Sequence, residues 1–242
     1  MKFSIITITF NAEKHLEQTL KSVAEQTYSD VEHIIWDGGS CDQTLEIARR
    51  YPVKIYEGKD SGIADGMNKA TEFATGDYLI HLHADDLLAH PRVLSCLFTT
   101  LLQYRTIGWL YGKASIIDCG GSVIRQTPFE PYSAKRLRKY NFITHPATVV
   151  SRKLFEEVGG FNPTIKYCMD YDLWLRLAKK NIPFSLDMQL ACFREHEGSL
   201  STSHPRAVND EVYQVRNGYV KNSLERWRSY RTWKKRNLKF SF

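Results

Sequence analysis

The 242-residue chain has no Cys-x-x-Cys pair, and its five cysteines (Cys41, Cys96, Cys119, Cys168 and Cys192) are odd in number and widely spaced. Neither a zinc ribbon nor a disulfide framework is indicated, and reduced thiols are expected. No stretch reaches the ~18 consecutive apolar residues that a membrane-crossing helix needs. The apolar run before Asn11 is too short for a signal peptide and reads as a buried strand. Neither a Gly-x-x-x-x-Gly-Lys phosphate loop nor a Gly-x-Gly-x-x-Gly fingerprint is present, which counts against nucleoside-triphosphate hydrolysis and dinucleotide redox chemistry. Internal repeats and low-complexity segments are missing as well. These absences lead to the expectation of a globular, cytoplasmic protein.

What is present is ordinary for such a protein: 43% hydrophobic, 12% aromatic and 25% charged residues. The length suits one large domain, or one domain with an appendage. The formal net charge is +6, but it is unevenly placed. From Gln214 to Phe242 nine basic residues face a single acid, Glu225, a net of +8 that leaves −2 for the other 213 residues. Aromatic residues, among them Trp227, Tyr230 and Trp233, are interleaved with these charges. Such a segment suits an anionic membrane interface or single-stranded nucleic acid, and a helix docked on its own domain is the plain alternative.

The hydrophobic pattern alternates between strand and helix. Phe3 to Thr9 is a β-branched run of the central-strand type, followed by a helical face of Leu16, Leu20, Val23 and Ala24. Further strands are predicted at 31–36, 53–56 and 78–82, with helices between them and after Pro91. This order predicts an α/β domain with a mainly parallel sheet flanked by helices. Beyond it, 108–111, 114–117, 122–125 and 147–150 read as strands, 171–179 as a helix, and 183–194 as extended. The basic end reads as helical from about Val208. The boundaries expected are one larger domain over 1–203, in a first half (1–105) and a smaller second half (106–203), and a C-terminal helical basic extension over 204–242.

Ligands of open α/β sheets bind beyond the carboxyl ends of the strands. Three polar signals fall there: Thr9-Phe10-Asn11, Asp37-Gly38-Gly39-Ser40 and Ala84-Asp85-Asp86. Each alone is an ordinary turn, but three in register are less readily accidental. Asp85 and Asp86 are adjacent like charges that repel unless a cation compensates them. A hard divalent ion sharing diphosphate oxygens would do so, and a solvated pair capping the next helix is the other reading.

The series Ile5-Ile6-Thr7-Ile8-Thr9-Phe10-Asn11, Trp36-Asp37-Gly38-Gly39-Ser40, the segment from Asp60 to Lys69, and Gly76-Asp77-Tyr78 leading to Ala84-Asp85-Asp86 resembles the family-two glycosyltransferases in content and order. The resemblance spans roughly residues 3–200. It implies the GT-A fold and transfer of a sugar from a nucleoside diphosphate with inversion at the anomeric carbon. In that frame Phe10 stacks on the base, Thr9 and Asn11 line base and ribose, and Asp37 accepts from uracil or guanine, a turn role being its alternative. Asn68 is a donor-sugar or diphosphate contact, or else a polar residue of an exposed helix.

The metal motif of that family is commonly Asp-x-Asp. Here His83 stands first, leaving Asp85 and Asp86 to hold Mg²⁺ or Mn²⁺. His196, in Arg194-Glu195-His196-Glu197-Gly198, resembles a loop that contacts diphosphate or metal, and His145-Pro146 precedes a stretch the family places near the acceptor. In Met169-Asp170-Tyr171-Asp172 the general base corresponds to Asp170, with Met169 where a Glu is usual and Asp172 in reserve. A helix-start acid favoured by the macrodipole is the simpler account of Asp170.

The expected partners are a nucleoside-diphosphate sugar and an acceptor glycan or lipid-linked sugar, in surface polysaccharide or glycan biosynthesis. A membrane surface is expected at the C-terminal end, placing the protein peripherally at the inner face. The competing classes are a non-catalytic nucleic-acid binder working through the basic end and a nucleotidyltransferase on a related fold. Nucleic-acid binders spread positive charge over the binding domain, whereas residues 1–213 are net negative, so no nucleic-acid partner is expected.

Overall fold

The computed structural model describes residues 1–196, 198, 203–220 and 223–238, apart from the side chains of 224, 225 and 238. Its frame is one sheet of nine strands. β1 (Phe3–Thr9), β2 (Val31–Asp37), β3 (Lys54–Glu57) and β4 (Tyr78–His81) alternate with α1 (Glu13–Ala24), α2 (Thr44–Arg49) and α3 (Ile63–Thr71). β5 (Leu87–Leu88), α4 (Val93–Gln103), β6 (Trp109–Ile117), β7 (Val123–Gln126) and the short α5 (Ala134–Leu137) follow. After a 3-10 turn over His145–Ala147 come β8 (Thr148–Ser151), α6 (Arg152–Glu157), α7 (Met169–Lys180) and β9 (Phe184–Arg194). The chain then forms α8 (Pro205–Asn217) and α9 (Ser223–Leu238).

The strand order is β3-β2-β1-β4-β8-β6-β9-β5, with β7 paired to β6. β1 to β4 are parallel, as the strand–helix alternation predicts. Beyond β4 the sheet is mixed: β4–β8, β6–β8, β6–β7 and β5–β9 are antiparallel, and β6–β9 is parallel. The expectation of a mainly parallel sheet thus holds for one half. Apolar patterning marks a strand and its buried faces but carries no sign of its neighbour's direction. The predicted strands 108–111 and 114–117 are one strand, β6, whose register to β9 shifts around Lys113.

The sheet's two faces are covered by separate cores. α3, α6 and α7 lie over one, where the Trp109 and Trp174 rings stack 5.7 Å apart. α4 lies over the other, burying Val93, Leu94, Leu97 and Leu101. Glu32, buried at the amino edge, accepts hydrogen bonds from Ser4 Oγ, Thr75 N, Lys2 Nζ and Lys54 Nζ. Burial alone would raise its carboxyl pKa, but these donors outweigh it and hold the group well below the usual carboxylate range. No cysteine is in a disulfide.

The helical C-terminal end consists of two helices. The turn near Gly218 lets α8 and α9 pack on each other, with Arg216 donating to Ser229 and Trp233 Nε1 donating to Asp210. The pair is anchored on the domain by Arg216 Nη1 to Lys139 O at 2.8 Å. Glu211 adds a second anchor, accepting the backbone N–H groups of Lys166, Tyr167 and Cys168 at 2.6–2.8 Å. Among the described residues no helix is long and apolar enough to cross a membrane.

Candidate active site

The carboxyl edge of β1 and β4 opens into a cleft of about 990 Å³. Sheet direction explains what gathers there. β1 delivers Thr9, Phe10 and Asn11, and β4 delivers His83, Ala84 and Asp85. β8 runs against β4, so the residues ahead of its start, Thr144 and His145, reach the same edge. β5 pairs with β9 through Leu87↔Cys192, which draws the end of β9 and His196 back to Asp85. The start of α7 closes the far wall with Met169 and Asp170. Residues far apart in the chain, Asp85 and Asp170, therefore face one space.

The turn after β1 and the turn after β2 are tied into a knot. Register places Thr9 beside Asp37, and Thr9 Oγ1 donates to Asp37 Oδ2 at 2.7 Å. Asp37 also accepts from Gly39 N, Ser40 N and Ser40 Oγ. It is fully buried and does not line the cleft. Burial works to raise its pKa, and the hydrogen bonds of Ser40, Thr9 and Gly39 override this to lower it. Asn11 sits at φ 49°, a left-handed conformation that Asn tolerates better than most residues. Its Oδ1 accepts from Cys41 N and its own N donates to Ser40 Oγ. Phe10 is left 66% exposed at the lip.

The expected metal pair divides. Asp85 lines the cleft, with Oδ2 2.9 Å from His196 Nε2. Asp86 is fully buried and does not reach the cleft; its Oδ1 accepts Arg194 N at 3.0 Å. Burial, then the adjacent Asp85 charge, pushes its carboxyl well above the ordinary range. Arg194, itself wholly buried, holds this loop by donating to Asp85 O, Asp118 O, Cys119 O and Gln18 Oε1. Among the described residues no three His, Cys, Asp or Glu side chains form a metal-binding group. One carboxylate and one imidazole are nonetheless a fitting donor set for an ion that completes its shell with diphosphate oxygens.

Asp170, at the first turn of α7, accepts from Tyr171 N at 2.6 Å and from Asn141 Nδ2 at 3.1 Å. Burial outweighs these two bonds and raises its pKa to about 6, the range suited to a general base near neutrality. Asp172 is not in the cleft: it pairs with Arg176 Nε at 2.8 Å and accepts from Tyr219 OH. Asn68 is also elsewhere. Its amide clamps the backbone of Phe161, donating to O and accepting from N.

Of the cleft residues that were not among the expected contacts, three stand out. Asp60 accepts from Trp36 Nε1 and Gly62 N; a Cβ on Gly66 would stand 3.2 Å from its carboxylate, so glycine there admits it. The run after Glu57 rich in Asp and Gly was the available signal. His15, on α1, is buried with its ring 5.7 Å from that of His196, and Arg125, from β7, pairs with Glu195. Neither belongs to a local motif, so nothing short of the fold reveals them.

Against known proteins, residues 4–159 match the family model described as Glycosyl transferase family 2. A PGL/p-HBAD biosynthesis glycosyltransferase of Mycobacterium tuberculosis is 31% identical over 183 residues, covering 72% of this chain and 68% of that protein. Among solved structures, Staphylococcus aureus TarS (residues 1–349) in complex with UDP-GlcNAc aligns with TM-score 0.74 at 19% identity, covering 95% of this chain and 69% of that one. The mannosyltransferase PcManGT of Pyrobaculum calidifontis, in complex with GDP-Man and Mn²⁺, aligns with TM-score 0.64 at 18% identity, over 88% and 62%. At these identities the structural likeness establishes the GT-A fold.

Proposed function

The chain belongs to glycosyl transferase family 2, and on that premise we propose that it is an inverting, metal-dependent transferase moving a sugar from a nucleoside diphosphate to an acceptor hydroxyl. One juxtaposition carries this reading: Asp85, beside His196, and Asp170, with its raised pKa, line the same cleft. Phe10 covers the base from the lip. Thr9 and Asn11 border its slot, and Asp37 keeps the slot's shape from behind. Asp85 and His196 would hold Mg²⁺ or Mn²⁺, which supplies positive charge to offset the departing diphosphate. Asp170, oriented by Asn141, takes the proton from the acceptor hydroxyl as that oxygen bonds to the anomeric carbon. The bond from that carbon to the diphosphate oxygen breaks on the opposite face, so a single displacement inverts the centre.

The acceptor class is a glycan or lipid-linked sugar, in polysaccharide or glycan biosynthesis, with the basic α9 lying against an anionic membrane face. Support for the donor class comes from the relatives, which are glycosyltransferases, and from neighbours bound to UDP-GlcNAc and GDP-Man. Calorimetry with UDP and GDP in the presence of Mn²⁺, followed by turnover of a nucleotide-sugar panel, tests the reading. Micromolar binding of one nucleotide is expected. Binding of neither, with affinity only for a single-stranded oligonucleotide, would sink it.

A further inference from the structure

His145 is the feature of the cleft that this mechanism leaves unused. Its ring is 8% exposed and lines the cleft, yet among the described residues neither Nδ1 nor Nε2 has a hydrogen-bond partner. The buried histidines away from the cleft behave otherwise. His33 pairs with Thr7 Oγ1 at 2.9 Å and His81 with Thr71 Oγ1 at 3.1 Å. A buried polar group without a partner is costly, and native structures keep few of them. Two on one ring that borders the cleft point to a ligand that supplies partners there.

The position says which part of a ligand. Beyond the antiparallel β4–β8 pair, whose register ends at Leu79↔Val150, His83 and His145 of the 3-10 turn come together with ring centroids 4.7 Å apart. On the other side the His145 ring lies 6.1 Å from that of Trp174, on the helix that carries Asp170. The ring thus adjoins both His83, two residues before Asp85, and the helix that carries Asp170, and it borders the cleft that both acids line. In the reaction above, the group that must lie between the two acids is the transferred sugar.

The chemistry narrows it further. Burial, followed by the neighbouring His83 and His81, holds the His145 pKa well below its ordinary value, so the ring is neutral, with one N–H donor and one nitrogen acceptor. A sugar hydroxyl both donates and accepts and can satisfy either nitrogen, and two neighbouring hydroxyls can satisfy both. A diphosphate oxygen only accepts and would leave one nitrogen unpaired. We propose that His145 binds the hydroxyl edge of the transferred sugar and contributes to the choice of sugar. This rests on the donor class proposed above.

The test separates sugar from nucleotide. Affinities for UDP and UDP-GlcNAc, UDP-glucose, GDP and GDP-mannose are measured by calorimetry with Mn²⁺ for the wild type, His145→Ala and His145→Gln. In His145→Ala the affinity for the bound nucleotide sugar should fall about 10- to 100-fold, the worth of one or two lost hydrogen bonds. The affinity for its nucleoside diphosphate should stay within about twofold. His145→Gln, which keeps a donor and an acceptor, should recover part of the loss. If sugar and parent nucleotide weaken by the same factor, or neither weakens, the assignment is overturned while the donor reading stands. If the wild type binds no nucleotide or nucleotide sugar, both fall. Should the alanine variant not fold, monodeoxy donors on the wild type and His145→Gln decide: at least one deoxy position must cost the wild type more than the variant, and equal losses at every position refute the contact.

Discussion

Asp170 and Asp172 are two positions apart on one helix, and about 100° of rotation per residue turns them to different faces. One looks into the cleft, and the other is spent on Arg176 and Tyr219. Asp170→Asn should therefore keep nucleotide affinity and lose transfer by about 10²- to 10⁴-fold, the usual worth of a general base; single-turnover transfer alongside calorimetry would show the split. Because the raised pKa favours the protonated form, kcat/KM should fall as pH drops through about 6 and level off above it. An acid limb nearer 4 would show that another group limits. The Asp85-Asp86 pair divides in the same way. Asp85→Asn should weaken Mn²⁺-dependent nucleotide binding at least tenfold, whereas Asp86→Asn, which keeps an acceptor for Arg194 N, should stay near wild type. Titration of nucleotide affinity against Mn²⁺ compares them. Sequence places both acids at a strand end, but only the loop's hold by Arg194 selects which one faces the cleft.

At the scale of elements, the strands and helices of the first hundred residues follow from their periodicity; the first and third strand-end motifs line the cleft, while the second braces the first from behind it. The second half is less legible. Its strands are visible in the pattern, yet their directions depend on pairing with residues far along the chain. Those directions bring His145 and His196 to the cleft. α8 shows a further dependence. Glu211 closes off the N–H groups ahead of α7, which otherwise lack partners at a helix start, and a carboxylate there also suits the dipole. Glu211→Ala should destabilise the protein by about 2 kcal/mol, lowering Tm by roughly 4–8 °C. It should also lower kcat by loosening Asp170. Thermal unfolding and steady-state kinetics on the same preparation would check both, and an unchanged Tm would show that the cap contributes nothing.

Taken as a whole molecule, the +6 charge is a −2 body joined to a +8 end, and the fold does not leave that end detached. α8 docks on the body, while α9 carries Lys234 and Lys235 outward together with Trp227, 53% exposed, and Tyr230, 43% exposed. Arg231 lies over the Trp227 ring. At about 1 kcal/mol per basic residue near an anionic surface, Lys234→Glu/Lys235→Glu should cut cosedimentation with phosphatidylserine-containing vesicles tenfold or more. Turnover of a free acceptor should not change. Equal binding to pure phosphatidylcholine vesicles would refute the electrostatic contact. The sequence by itself determined the family, the α/β half, the strand-end motifs and the charge division, because local spacing and composition carry those. Tertiary structure alone decided which acid of each pair faces the cleft, that Asn68 clamps Phe161, and that His145 and His15 line the site. Those outcomes depend on strand direction and long-range hydrogen bonding, which no local pattern encodes.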